Sequence, residues 1–220
     1  MDKLYNKVSF TFCLKVFGLG VGFVFQIVLG RMLDPNLYGQ YTMFLTYTSV
    51  LSIISILGMD RNLIKEIARV VENKAKTNSL LQFSLLVSII ITILLSVLIY
   101  ILRKFLLIPS QTYYLLIFMV LLRTLASILD GFLQGLGLVV KVTLFNVVLN
   151  NILKILIFIL MVIVKSEVLM AAVVSFILSE TITVIIRVVS VKKVLHDNFK
   201  LKIDIDNHEK KEFLKYSRFR

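Results

Sequence analysis

The stretch Leu80-Leu81-Gln82-Phe83-Ser84-Leu85-Leu86-Val87-Ser88-Ile89-Ile90-Ile91-Thr92-Ile93-Leu94-Leu95-Ser96-Val97-Leu98-Ile99-Tyr100-Ile101-Leu102 contains no charged residue, and its reading decides the fold. A bilayer core takes about 20 apolar residues of helix, and a run without strict alternation forms a helix, not a barrel strand. Five more runs of this kind occur, at 8–29, 38–57, 113–133, 142–164 and 168–187. The chain therefore reads as an all-α integral membrane protein, a six-transmembrane-helix bundle. Its composition agrees, since 58% hydrophobic residues and a mean hydropathy of +0.91 lie well above the balance of a soluble domain.

The charges explain the orientation. Taking alternate connections as one side, Lys3, Lys7, Arg61, Lys65, Arg69, Lys74, Lys76, Lys141 and the nine basic residues after Val191 make seventeen, against four opposite: Arg31, Arg103, Lys104 and Lys165. By the positive-inside rule both termini are expected in the cytoplasm. The net charge of +12 is thus topological, and no nucleic-acid partner is expected, because such binding needs a basic soluble face. The first apolar run is as long as the rest and lacks a small-residue cleavage pattern, so it is expected to remain as a helix. Cys13, the single cysteine, permits no intrachain disulfide and is expected as a packing residue within the first span.

Between the spans, 58–79 reads as a surface helix. Leu63, Ile64, Ile67, Val70 and Val71 form one face, suited to lying on the cytoplasmic leaflet, with Arg61, Lys65, Glu66, Arg69 and Glu72 elsewhere. Pro35 and Pro109 both fall in outer connections, so no span is broken by proline. Lys165-Ser166-Glu167 joins the last two spans as a tight hairpin. The polar tail 191–220 follows. Its His196 and His208 have no partner at metal-ligand spacing, and no phosphate loop, nucleophile elbow or zinc-protease motif occurs. No cofactor, no metal and no enzyme activity are expected.

Function is expected in the polar residues inside the spans, which persist at membrane depth where they face a bundle interior or a watery cavity. Lys15, Gly18, Gly22 and Gln26 share a stripe in the first span; Arg123, Ser127, Asp130 and Gln134 do so in the fourth, Thr143, Asn146, Asn150 and Lys154 in the fifth, and Glu180, Thr183 and Arg187 in the sixth. Gly18 and Gly22 read as a packing notch, and the Ser/Thr stripes of the second and third spans as packing contacts. Arg123 and Lys154 lie near mid-span, where snorkelling is hardest, while Asp130 and Glu180 lie nearer the cytoplasmic edge. The expectation is a cavity with unpaired cations at mid-depth, suited to an anionic substrate.

Two loop motifs add a resemblance. Gly30-Arg31-Met32-Leu33-Asp34-Pro35-Asn36-Leu37-Tyr38-Gly39-Gln40-Tyr41 and Leu57-Gly58-Met59-Asp60-Arg61-Asn62-Leu63-Ile64-Lys65-Glu66-Ile67-Ala68-Arg69 closely resemble the polysaccharide biosynthesis flippases of the multidrug/oligosaccharidyl-lipid/polysaccharide superfamily. Members typically read A-R-x-L-G-P-x-x-Y-G and L-G-x-x-R-x-x-x-R-x-x-A there. Gly30 and Asp34 replace Ala and Gly, and Asn62 and Lys65 shift the second pattern slightly. The tail from Phe199 to Ser217 resembles the family's linker into a second half, so residues 1–190 are expected to be one six-helix lobe and 191–220 a cytoplasmic linker toward a missing second lobe. On this view the chain is a fragment or a truncated reading frame.

The resemblance implies a flippase of the cell membrane that moves an anionic, isoprenoid-pyrophosphate-linked oligosaccharide by alternating access. Its partners would be membrane lipids and a second lobe or another copy of the chain. Lys15, Arg123 and Lys154 would attract the pyrophosphate, and Gln26 and Asn150 would contact sugar, with Asp130 and Glu180 completing the candidate set. Two alternatives remain: a cation-coupled multidrug exporter of the same superfamily, for which Asp130 and Glu180 are the acidic candidates, and a non-transporting scaffold or inert fragment.

Overall fold

A computed structural model describes residues 2–70, 73–102 and 110–195; within these, no strand occurs. The elements are α1 (Asp2–Met32), α2 (Pro35–Ile56), α3 (Met59–Val70), α4 (Lys74–Leu102), α5 (Ser110–Gly135), α6 (Val139–Thr143), a π-helical segment (Leu144–Leu149), α7 (Asn150–Ile163) and α8 (Val168–Leu195). Val71, Glu72, Arg103, Lys104, Pro109, His196, His208 and the linker from residue 196 on lie outside the described residues.

Five stretches are long and apolar enough to span a bilayer: Val8–Met32, Ala75–Ile101, Tyr113–Gly135, Val139–Ile163 and Val168–Leu195. Helix α2 passes the same test together with α3, from which it is bent by 45°. The bend sits at Leu57 and Gly58, both left-handed, with φ of 48° and 69°. At the other end of α2, Pro35 occupies the first helical position, where its missing N–H costs nothing. A proline also disfavours helix in the residue before it, so α1 stops at Met32.

The chain divides into two compact units, one built from residues up to Leu45 with Leu138–Ile185, the other from Thr46–Gly137 with the chain from Ile186 on. In the first unit, α1 meets the π segment and α7 in parallel: Gly18 faces Val147, Gly22 faces Asn151, and Phe25 stacks edge-on against Phe158 at 5.3 Å. In the second unit, α3 lies on α4 and α5, with Met59, Leu63 and Ile67 fully buried. A Cβ on Gly131 would stand 2.7 Å from the Asp60 carbonyl oxygen, and one on Gly135 would stand 2.7 Å from the Ile67 Cβ, so only glycine admits this approach.

Large side chains such as Phe12, Phe17, Phe23, Ile53, Leu94 and Ile163 are exposed, an apolar surface far too extensive for water and suited to lipid. Cys13 belongs to this surface: it is exposed, not packed, because its neighbours Phe12 and Phe17 also point outward. The apolar side of α3, expected on the leaflet, is instead covered by protein. The last helix runs eight residues beyond the expected end at Arg187, because that arginine is neutralised inside the protein and the apolar pattern continues through Val188, Val189 and Val191.

Candidate functional site

In the first unit a polar cluster forms where α1, α7 and α8 meet. Its centre is Asn151. The side-chain amide nitrogen donates to the Gly18 carbonyl at 2.8 Å and the Val147 carbonyl at 2.9 Å, while its oxygen accepts from Lys154 Nζ at 2.9 Å. Both amide protons and the carbonyl are thereby engaged, so the side chain is held in one orientation.

Lys154 is only 9% exposed, and its ammonium stands 5.0 Å from the Phe25 ring centroid and 5.9 Å from that of Phe176. Aromatic faces attract a cation that has lost most of its water. One turn earlier, Asn150 Nδ2 donates to Glu180 Oε2 at 2.6 Å, and Glu180 is buried. The buried Asn150 Oδ1 has no hydrogen-bond partner. Gln26, half-buried on α1, accepts from the Tyr38 hydroxyl at 3.3 Å. Lys15 is exposed, and the structure does not bring it into this cluster.

The π-helical segment positions the cluster. Asn150 N–H donates to the Phe145 carbonyl, five residues back, and the wider turn interrupts the phase of the span. The straight stripe expected through Thr143, Asn146, Asn150 and Lys154 is therefore broken: Thr143 is buried, Asn146 is exposed, and Asn151 takes the place beside α1.

The second unit holds Arg123 and Asp130. Arg123, half-buried, donates to Ser49 Oγ on α2 at 2.7 Å. Asp130 accepts from Arg187 Nε at 2.9 Å, an ion pair in which the arginine is 0% exposed. Ser127 Oγ lies 3.5 Å from Asp60 Oδ2. The expected unpaired cations are thus corrected, because Arg123 and Lys154 both have partners: at membrane depth a bare charge costs several kcal/mol, and neighbouring polar groups recover part of it.

Several serines and threonines are satisfied within their own helices. Ser52, Ser84, Thr92 and Thr124 donate to carbonyls four residues back in their own helices, which leaves them as packing surfaces. Sequence reasoning missed Asn151, Phe25, Phe176 and the Asp130–Arg187 pair. The available signals were the three-residue spacing of Asn151 and Lys154, which puts both on one helical face, and the presence of opposite charges in two different spans.

Residues 4–219 match the family model described as "Polysaccharide biosynthesis protein". No curated protein matches the chain. Two solved structures are similar: a crystal structure of a MATE mutant, with TM-score 0.67 and 17% identity, and an outward-facing multidrug resistance MATE family transporter of the MOP superfamily, with TM-score 0.66 and 15% identity. Each alignment covers 92% of this chain and 49% of the other, so the chain spans about half the length of the proteins whose fold it shares. All-helical, rich in bilayer-length apolar helices and matched to the family model over nearly its whole length, the chain is a multi-pass membrane protein that belongs to the polysaccharide biosynthesis protein family.

Proposed function

We propose that the chain is one lobe of a flippase, not an enzyme, and that it moves an isoprenoid-pyrophosphate-linked oligosaccharide across the cytoplasmic membrane together with a second lobe or a second copy. Both termini are cytoplasmic in this reading. The observation that carries it is Lys154: a buried ammonium beside two phenylalanine rings, held by Asn151, in a unit whose other buried charged residue among those described is Glu180. Such an ammonium exchanges its amide and aromatic contacts for a phosphate oxygen at little structural cost. Gln26 and Asn150 supply neutral donors and acceptors of the kind that sugar hydroxyls need, and Arg123 offers a second cation in the other unit.

A multidrug exporter is the second reading. It is favoured by the buried Glu180 carboxylate and by the fold of the multidrug transporter. The test is export in cells that lack their own flippase and supply the second half. Lys154→Gln is expected to lower glycolipid export per molecule at least tenfold, with Lys154→Arg retaining much of it. Unchanged glycolipid export, with loss of drug resistance in Glu180→Gln, would favour the exporter.

A further inference from the structure

Helix α3 carries a face to which the transport reading gives no role. Its apolar side is consumed by α4 and α5, through Met59, Leu63 and Ile67. The opposite side holds Arg61, Lys65 and Arg69, all exposed and four residues apart. At about 100° per residue these three positions fall within an arc of roughly 80°. Two carboxylates of the helix are described: Asp60 lies against Ser127, and Glu66 pairs with Arg69 at 3.0 Å. The exposed stripe is therefore net cationic.

Because the large apolar residues of α3 face protein, this helix has little left to insert into hydrocarbon. Its exposed side is dominated by charge, with Ile64 and Val70 only half-buried beside it. The helix begins directly at the bend that ends α2 and precedes α4, an apolar helix of bilayer length, and three exposed cations suit a membrane surface and not hydrocarbon. That surface is the one on which the charge count places seventeen of the 25 cations. We propose that the Arg61, Lys65 and Arg69 face of α3 is a seat for the phosphate headgroups of anionic phospholipids of the cytoplasmic leaflet. Guanidinium groups bind phosphate oxygens in pairs, and the anionic leaflet attracts each nearby basic side chain. The close packing of α3 on Gly131 and Gly135 holds its backbone, and with it the row of three cations, in place against the protein. The cluster around Lys154 plays no part in this inference, which stands or falls separately from the transported substrate.

The chain contains no tryptophan, so Ala68→Trp places a unique fluorophore within the stripe. The full chain carrying this reporter would be reconstituted in vesicles containing brominated phosphatidylglycerol or brominated phosphatidylcholine at equal mole fraction. Phosphatidylglycerol is expected to quench more strongly, with an apparent preference of about tenfold or more that fades as salt is raised. The triple change Arg61→Gln, Lys65→Gln, Arg69→Gln should abolish the preference, and Lys65→Arg should keep it. If the triple variant fails to insert, Arg61→Gln and Lys65→Gln singly should each lower the preference severalfold. Equal quenching by the two lipids, a preference that survives the charge removals, or no quenching by either lipid would each overturn the proposal.

Discussion

Asp130 on α5 and Arg187 on α8 form an ion pair of 2.9 Å in which the guanidinium is completely enclosed. Removing one member takes an opposite charge away from the other inside the protein, a loss of about 3–5 kcal/mol in comparable buried pairs. Arg187→Gln or Asp130→Asn is therefore expected to reduce the amount of folded protein in the membrane and to lower its unfolding temperature in detergent. The double variant should recover a substantial part of that loss. Single variants as stable as the parent chain would show that the pair is not structural.

Gly18 and Gly20 lie two residues apart on α1 and are expected to respond in opposite ways to the same change. A Cβ at Gly18 meets the Val147 carbonyl oxygen at 2.6 Å, whereas one at Gly20 meets nothing within 4 Å. Gly18→Ala should destabilise by about 1–3 kcal/mol, the usual range for overpacking. Gly20→Ala should be neutral or slightly stabilising, since alanine is the better helix former. Thermal unfolding of the two variants side by side decides the matter, and equal behaviour would refute the close packing of α1 on the π segment.

Asn151 makes three hydrogen bonds that leucine cannot. Asn151→Leu should cost about 1–3 kcal/mol, because the buried Lys154 ammonium loses an acceptor and the Gly18 carbonyl loses a donor. Lys154→Met combined with Asn151→Leu should lose less than the sum of the single changes, as residues in one network do. Strict additivity would mean that the two side chains do not interact.

The orientation is testable by thiol labelling once the exposed Cys13 has been replaced by serine. Cysteines at Asn36 and Glu167 should react with impermeant reagents added outside intact cells, and cysteines at Glu66 and Asn73 should react only after permeabilisation. The reverse pattern would invert the proposed topology.

The membrane-spanning character of the chain was legible in the sequence because hydrocarbon imposes it residue by residue. A run such as 80–102 has to be a helix in lipid, whatever its neighbours are. The candidate charges Arg123, Asp130, Lys154 and Glu180 were legible for the same reason, since each stands out against an apolar background. Their partners were not. Which carboxylate neutralises which cation depends on the register of helices 57 residues apart in sequence, as with Asp130 and Arg187, and periodicity within one helix carries no information about that. The π turn at Leu144–Leu149 likewise escaped a reading based on a 3.6-residue repeat, and by interrupting that repeat it put Asn151 in contact with α1. The amphipathic pattern of α3 was plain in the sequence, but not what covers its apolar face. A hydrophobic stripe is equally satisfied by lipid or by protein, and only the close approach that Gly131 and Gly135 permit decided for protein.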